Sequence, residues 1–262
     1  MFAKTNGIDT HYVIDGNTDK PWLTMVTGIT NNTSMWDGQI DSLKNDFHIL
    51  RYDLRGQGKS SSTKGAYSAQ LLCDDLLALW DFLEIKKSNL MGLGLGGSIS
   101  LAMGVNHSDR ILKLVPCCCR SKMVPGFAAM WNGLLDQVKR NGVEAIVENT
   151  AQRWFSESFK TAYPEKLEAV REMIRGTSAD GYHGVVSAFI QFDVDKDLGK
   201  IKVPTMLMGG AEDKVGGPED IMREIASKIP GATYMPVPGA AHIANLQNPS
   251  GFNEILYKFL SQ

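Results

Sequence analysis

Leu90-Met91-Gly92-Leu93-Gly94-Leu95-Gly96-Gly97-Ser98 follows a short hydrophobic run and opens a helix-like one. Two readings fit it. Gly92, Gly94 and Gly97 match G-x-G-x-x-G, the turn that brings a backbone close to a dinucleotide pyrophosphate. Gly92 and Gly96 match the outer glycines of G-x-S-x-G, a sharp strand-to-helix turn that exposes a nucleophilic serine, here with glycine in the serine position. The first reading asks for a cofactor. The second asks for an acid and a histidine further along the chain.

The context of the stretch decides between them. A dinucleotide turn follows the first strand of a βαβ unit, with a carboxylate at the end of the next strand for the ribose. Several strand-like runs precede residue 90, and the next one ends in Pro116-Cys117-Cys118-Cys119 with no carboxylate. The elbow reading finds its partners in the required order. Asp213 lies in Gly210-Ala211-Glu212-Asp213 after one strand-like run, and His242 lies in Pro238-Gly239-Ala240-Ala241-His242 after the last. Loops after strands are where open α/β sheets place their sites.

The flanking chain reads as an α/β protein. Residues 8–28 read as a hairpin, with Asp15-Gly16-Asn17 as its turn and Trp22 to Val26 as its second arm. Leu72, Leu76, Leu79, Trp80 and Leu83 form one helical stripe. Strand and helix alternate from residue 49, which predicts a mainly parallel sheet flanked by helices. Strand-like runs disappear over 120–195 and four helical patterns replace them, so this segment reads as a helical cap. The core is then 1–119 with 196–262.

Composition narrows the function further. The 262 residues carry 43% hydrophobic and 21% charged side chains and a formal charge of −2. That gives enough apolar surface for a sizeable core and no basic face for nucleic acid or membrane. No run of about 18 apolar residues predicts a membrane span, and the first residues lack the apolar core of a signal peptide. Cys73 and the adjacent Cys117, Cys118 and Cys119 suit neither a disulfide framework nor a zinc site, because neighbours on an extended chain point to opposite faces. The expectation is reduced, structural thiols, no metal, no cofactor and a cytoplasmic setting.

At this point the chain resembles the α/β-hydrolase family, and within it the 3-oxoadipate enol-lactonase-like enzymes. The resemblance rests on Met35-Trp36-Asp37-Gly38-Gln39, Asp53-Leu54-Arg55-Gly56-Gln57-Gly58-Lys59-Ser60, Gly92-Leu93-Gly94-Leu95-Gly96-Gly97, Arg153-Trp154-Phe155 and Gly239-Ala240-Ala241-His242-Ile243-Ala244-Asn245-Leu246. It covers nearly the full length and implies a small-molecule ester or lactone as substrate. It implies a triad of residue 94, Asp213 and His242, and an oxyanion hole from the backbone N–H groups of Ile29 and Leu95. The chain departs from the family at two places. The nucleophilic serine corresponds to Gly94, and the family's His-Gly loop reads Thr27-Gly28.

Glycine forms no acyl-enzyme, and Ser98 and Ser100 lie too far along the helix to replace the missing hydroxyl. Three expectations follow: an inactivating substitution in a hydrolase; an enzyme in which His242 and Asp213 act as general base for hydrolysis or lyase chemistry; or a binding protein that keeps the pocket without turnover. Trp131 and Trp154 read first as cap core. Together with His183 they are the cap's candidate substrate-binding residues. Asp53 and Arg55 read as supports of the loop beside the site.

Overall fold

The computed structural model describes residues 1–262. Its elements in chain order are β1 (Phe2–Thr5), β2 (Ile8–Gly16), β3 (Trp22–Val26), α1 (Asp37–Leu43), β4 (His48–Tyr52), α2 (Ala69–Phe82), β5 (Ser88–Leu93), α3 (Leu95–Asn106) and β6 (Ile111–Cys117). Then come α4 (Pro125–Asn141), α5 (Glu144–Trp154), α6 (Glu157–Ala162), α7 (Pro164–Arg175) and α8 (Ala179–Ile190) without an intervening strand. The chain returns to the sheet with β7 (Met206–Gly210), α9 (Glu219–Lys228), β8 (Thr233–Val237), α10 (Ala244–Gln247) and α11 (Pro249–Leu260).

The eight strands form one sheet in the order β1-β2-β4-β3-β5-β6-β7-β8. The β1–β2 and β2–β4 pairs are antiparallel and every later pair is parallel. The alternation along each strand sorts side chains to two faces. Val26, Leu50, Leu90, Leu114 and Leu207 join a cluster with Leu72, Leu76, Leu79 and Trp80 of α2. Leu23, Met25, Ile49, Met91, Val115, Met206 and Met208 face the other way, towards Leu43 of α1 and Phe252, Leu256 and Leu260 of α11. A central strand covered on both faces is buried along its whole length, as β5 is, and its Leu90-Met91-Gly92-Leu93 half reads as a continuous apolar run.

The expected hairpin over 8–28 is corrected. β2 and β3 do not pair, because β4 lies between them. The hairpin is β1–β2, and its turn is Asn6-Gly7 with φ of 45° and 78°. An Asn-Gly pair supplies the two left-handed residues that a tight two-residue hairpin turn requires.

One buried ion pair ties the loop after β4 to α2. Arg55 donates from Nε to Asp75 Oδ2 at 2.8 Å, both side chains are at most 4% exposed, and Asn6 adds a donor to Asp75 Oδ1 at 2.7 Å. Removing one partner strands a charge in the interior. Asp75→Ala is therefore expected to cost about 3–5 kcal/mol, read as a lowered urea midpoint. A loss below about 1 kcal/mol would mean that Arg55 finds water.

Candidate active site

The site lies at the carboxyl ends of the parallel strands, where loops from β3, β5, β6, β7 and β8 converge. Gly94 follows β5 and caps α3 with φ 61° and ψ −120°, a region that L side chains occupy only under strain. Its neighbours explain the glycine-rich stretch. A Cβ on Gly92 would stand 2.3 Å from Gly96 O, one on Gly96 2.4 Å from Val26 O, and one on Gly97 2.7 Å from Cys119 Cβ. These three have no room for a side chain. A Cβ on Gly94 would meet nothing nearer than His242 Nε2 at 3.7 Å, which is ordinary contact. An oxygen one bond further would fall within hydrogen-bond reach of that nitrogen.

The structure brings Asp213 and His242 together. His242 Nδ1 lies 3.0 Å from Asp213 Oδ2, and both residues are buried. Asp213 also accepts the N–H groups of Val215 (2.7 Å) and Gly216 (3.2 Å) at Oδ1 and that of Gly217 (2.9 Å) at Oδ2. Burial pushes the carboxyl up. The His242 imidazole and the backbone donors of Val215 and Gly217 outweigh it, and the net is a value below the ordinary carboxylate range. An ionised carboxylate only accepts, so Nδ1 carries the proton and Nε2 presents its lone pair towards Gly94.

The imidazole is also held by the cap. Trp154 O accepts the His242 N–H at 3.0 Å. Gln247 spans the same seam: its Oε1 accepts from Ala241 N (3.1 Å) and Ser156 N (3.3 Å), and its Nε2 donates to Ser156 Oγ (2.6 Å) and Gly239 O (2.9 Å).

Ile29 and Leu95 both line the cavity beside Gly94. The Ile29 N–H donates to no group in the chain, and Leu95 opens α3, where a helix leaves its first N–H groups unpaired. The loop carrying Ile29 is fixed from behind. Gln57 Oε1 accepts the Thr30 N–H at 2.7 Å, and Asp53 accepts from Thr33 N (2.7 Å), Lys59 N (2.9 Å) and His11 Nδ1 (2.8 Å). Asp53 and Arg55 thus act as supports.

The cap contributes the cavity roof. Trp131 and Trp154 both line it, and Trp131 packs edge-on against Phe127 and Phe189, themselves lining residues. His183 is a correction. It borders a different hollow with Gly65, Lys139 and Asp180, and its Nδ1 lies 3.3 Å from Gly65 O. The physical reason is helical phase. Tyr182, Val185, Val186 and Phe189 take the inward face of α8, and one residue after Tyr182 the helix has turned by about 100°. Sequence reasoning did not select Phe127, Phe189, Asn31 or Arg153 as lining residues. Arg153 alone carried a signal, its place beside Trp154.

Cys118 also lines the cavity, with φ 47°. Its sulfur lies within 4.8 Å of ligand atoms of Asp213 and His242. Each Asp213 oxygen already accepts two N–H donors, which leaves that carboxylate little capacity for an ion. Burial pushes the thiol well above its ordinary value, with Asp213 adding to it, so the thiol is neutral. All four cysteines are unpaired and buried. No helix is long and apolar enough to cross a membrane.

Comparison with known proteins places the fold. 3-Oxoadipate enol-lactonase 2 of Acinetobacter baylyi is 29% identical over 243 residues, covering 93% of this chain and 90% of its own. The enol-lactonase of Burkholderia xenovorans LB400 superposes with a TM-score of 0.96 at 30% identity over the full length of both chains. An esterase from Thermogutta terrifontis, solved with malate bound, gives 0.92 at 25% identity, covering 100% of this chain and 97% of its own. The family model for the alpha/beta hydrolase fold matches residues 21–249, and the chain belongs to that family.

Proposed function

We propose that this site is an ester- or lactone-hydrolase centre in which Gly94 stands at the nucleophile position. The observation that carries the reading is the space at Gly94. It is the one glycine of Gly92-Leu93-Gly94-Leu95-Gly96-Gly97 whose Cβ meets only ordinary contact, and that contact is His242 Nε2. The fold needs small residues at 92, 96 and 97, whereas at 94 the missing atoms are those of a side chain facing the base.

With no hydroxyl, no acyl-enzyme forms and the covalent route is closed. His242 then has a water to act on. Nε2 takes the water proton as its oxygen bonds to the carbonyl carbon, and Asp213 stabilises the imidazolium. The N–H groups of Ile29 and Leu95 hold the oxyanion. Collapse breaks the bond to the leaving alkoxide, which takes the proton back from Nε2. Trp131 and Trp154 close the cavity over the acyl group. Four unpaired thiols suit a reducing, cytoplasmic setting.

Serine hydrolases without an intact triad keep roughly 10³–10⁴-fold acceleration over water from the oxyanion hole and binding, so slow turnover is expected. A panel of small esters and lactones, followed by product release, tests it. Hydrolysis by this chain that disappears in His242→Ala supports the reading. Equal rates in the two proteins would sink the base assignment. Ligand-induced stabilisation with no product from any substrate would identify a binding protein instead.

A further inference from the structure

Thr30, one residue after Ile29, holds a conformation that its side chain resists. Gly28 O accepts the Asn31 N–H at 3.3 Å, which makes residues 28–31 a β-turn with Ile29 and Thr30 at its centre. Thr30 has φ 60°, whereas Ile29 is not among the residues with positive φ. That is the sign pattern of a type II turn, which asks for glycine or asparagine at its third residue. Four non-glycine residues of the chain have positive φ, and Thr30 is the only β-branched one, the kind of residue for which this region is an outlier. Such strain persists only where the surroundings hold it in place.

Two hydrogen bonds hold the Ile29–Thr30 peptide. Thr30 Oγ1 donates to Ile29 O at 2.6 Å, and Gln57 Oε1 accepts the Thr30 N–H at 2.7 Å. Gln57 and Thr30 are at most 1% exposed, so water does not stand in for that acceptor. Gln57 is itself fixed: its Nε2 donates to Gly56 O at 3.0 Å, its N–H to Leu54 O at 2.8 Å, and its carbonyl accepts the Ser60 N–H at 3.0 Å. Turning the Ile29–Thr30 peptide over, into a type I turn, would give Thr30 a negative φ and release its strain. The same flip takes the Thr30 N–H off Gln57 and leaves it buried without a partner, which is costly. Ile29 is one of the two residues whose angles absorb that flip, and its own N–H is the unpaired donor beside Gly94.

Resting on the reading of the Ile29 N–H as an oxyanion donor, we infer that Gln57 is a positioning residue for the oxyanion hole: by keeping Thr30 left-handed, it holds the Ile29 N–H aimed at the developing oxyanion. Gln57 does not line the cavity, so it acts only through the turn. Glycine at position 30 adopts a positive φ without strain, so with glycine there the turn no longer depends on Gln57.

Phenyl methylphosphonate, a tetrahedral monoanion, and the ester it mimics, phenyl acetate, test this. The dissociation constant of the phosphonate is measured by calorimetry, and kcat and KM with the ester, on this chain, Gln57→Met, Thr30→Gly and the double variant. Gln57→Met keeps the side chain's length and removes the acceptor. It should weaken phosphonate binding at least tenfold and lower kcat by about 10²–10³, the effect of one lost oxyanion donor, with KM changed less than threefold. On Thr30→Gly, adding Gln57→Met should cost less than fivefold in phosphonate affinity. A contact that merely supports the fold would cost the same factor in both backgrounds. A loss of less than tenfold in Gln57→Met, or of more than fivefold on adding it to Thr30→Gly, overturns the inference. The second comparison stands even where Gln57→Met alone is too unstable to assay. Phosphonate affinity needs no turnover, so the two readings fail separately. If this chain hydrolyses phenyl acetate no faster than His242→Ala while the affinities follow this pattern, the hydrolase reading ends and the inference is supported. Hydrolysis that depends on His242, with phosphonate affinity unmoved by Gln57→Met, ends only the inference.

Discussion

Gly94→Ser is expected to turn a slow general-base site into a covalent hydrolase. The serine Cβ fits 3.7 Å from His242 Nε2, and the elbow already has the backbone angles that aim a side chain at the base. Removing the serine of a comparable triad costs on the order of 10⁶ in kcat. Restoring it here should raise kcat for an activated ester by at least about 10³-fold. Stopped-flow mixing should show a burst of alcohol equal to the enzyme concentration, and mass spectrometry an added acyl group on residue 94. A folded variant with neither burst nor adduct would sink the proposed role of this position. The gain comes at a cost in stability: a side chain at φ 61° is strained by about 1–3 kcal/mol, so the variant should melt at a lower temperature than the glycine form.

In that serine background, Asp213→Asn should lower kcat by about 10⁴. The carboxylate accepts four N–H donors, three of them backbone. An asparagine amide offers one accepting oxygen, and its NH₂ must face either the backbone donors or the imidazole. If it faces the imidazole, Nδ1 becomes the acceptor and the proton moves to Nε2, where it blocks the base. The nitrogen-15 spectrum of His242 should report the exchanged tautomer. A loss of less than tenfold in kcat would show that the carboxylate does not set it.

How much of this was legible in the sequence depended on how local the signal was. The α2 stripe and the glycine stretch are patterns within short windows, and Asp213 and His242 were found because each follows a strand-like run in the chain order the elbow requires. The pairing of β4 between β2 and β3 is not, since strands joined through a helix record nothing of their neighbours in sequence order. The β1–β2 hairpin was legible through Asn6-Gly7, but β1 has four residues and alternates exposed with buried side chains, so it lacks an apolar run. In the cap, lining residues are set by helix phase. Trp131 and Trp154 face the cavity and His183 does not, although all three lie on amphipathic helices. Arg153 was legible only through its place beside Trp154; that its guanidinium pairs with no carboxylate is known only once the chain is folded.

The hydrogen bonds from His242 N to Trp154 O and through Gln247 to Ser156 have a mechanical consequence. The cavity beside Gly94 holds about 40 Å³, room for roughly three waters, and Trp154 at the end of α5 forms part of its wall. The α5–α6 junction cannot lift without pulling on the strap that seats the imidazole. The cap and the loop that carries the proton acceptor are therefore joined at one seam, and a displacement of the α5–α6 junction would be passed directly to His242.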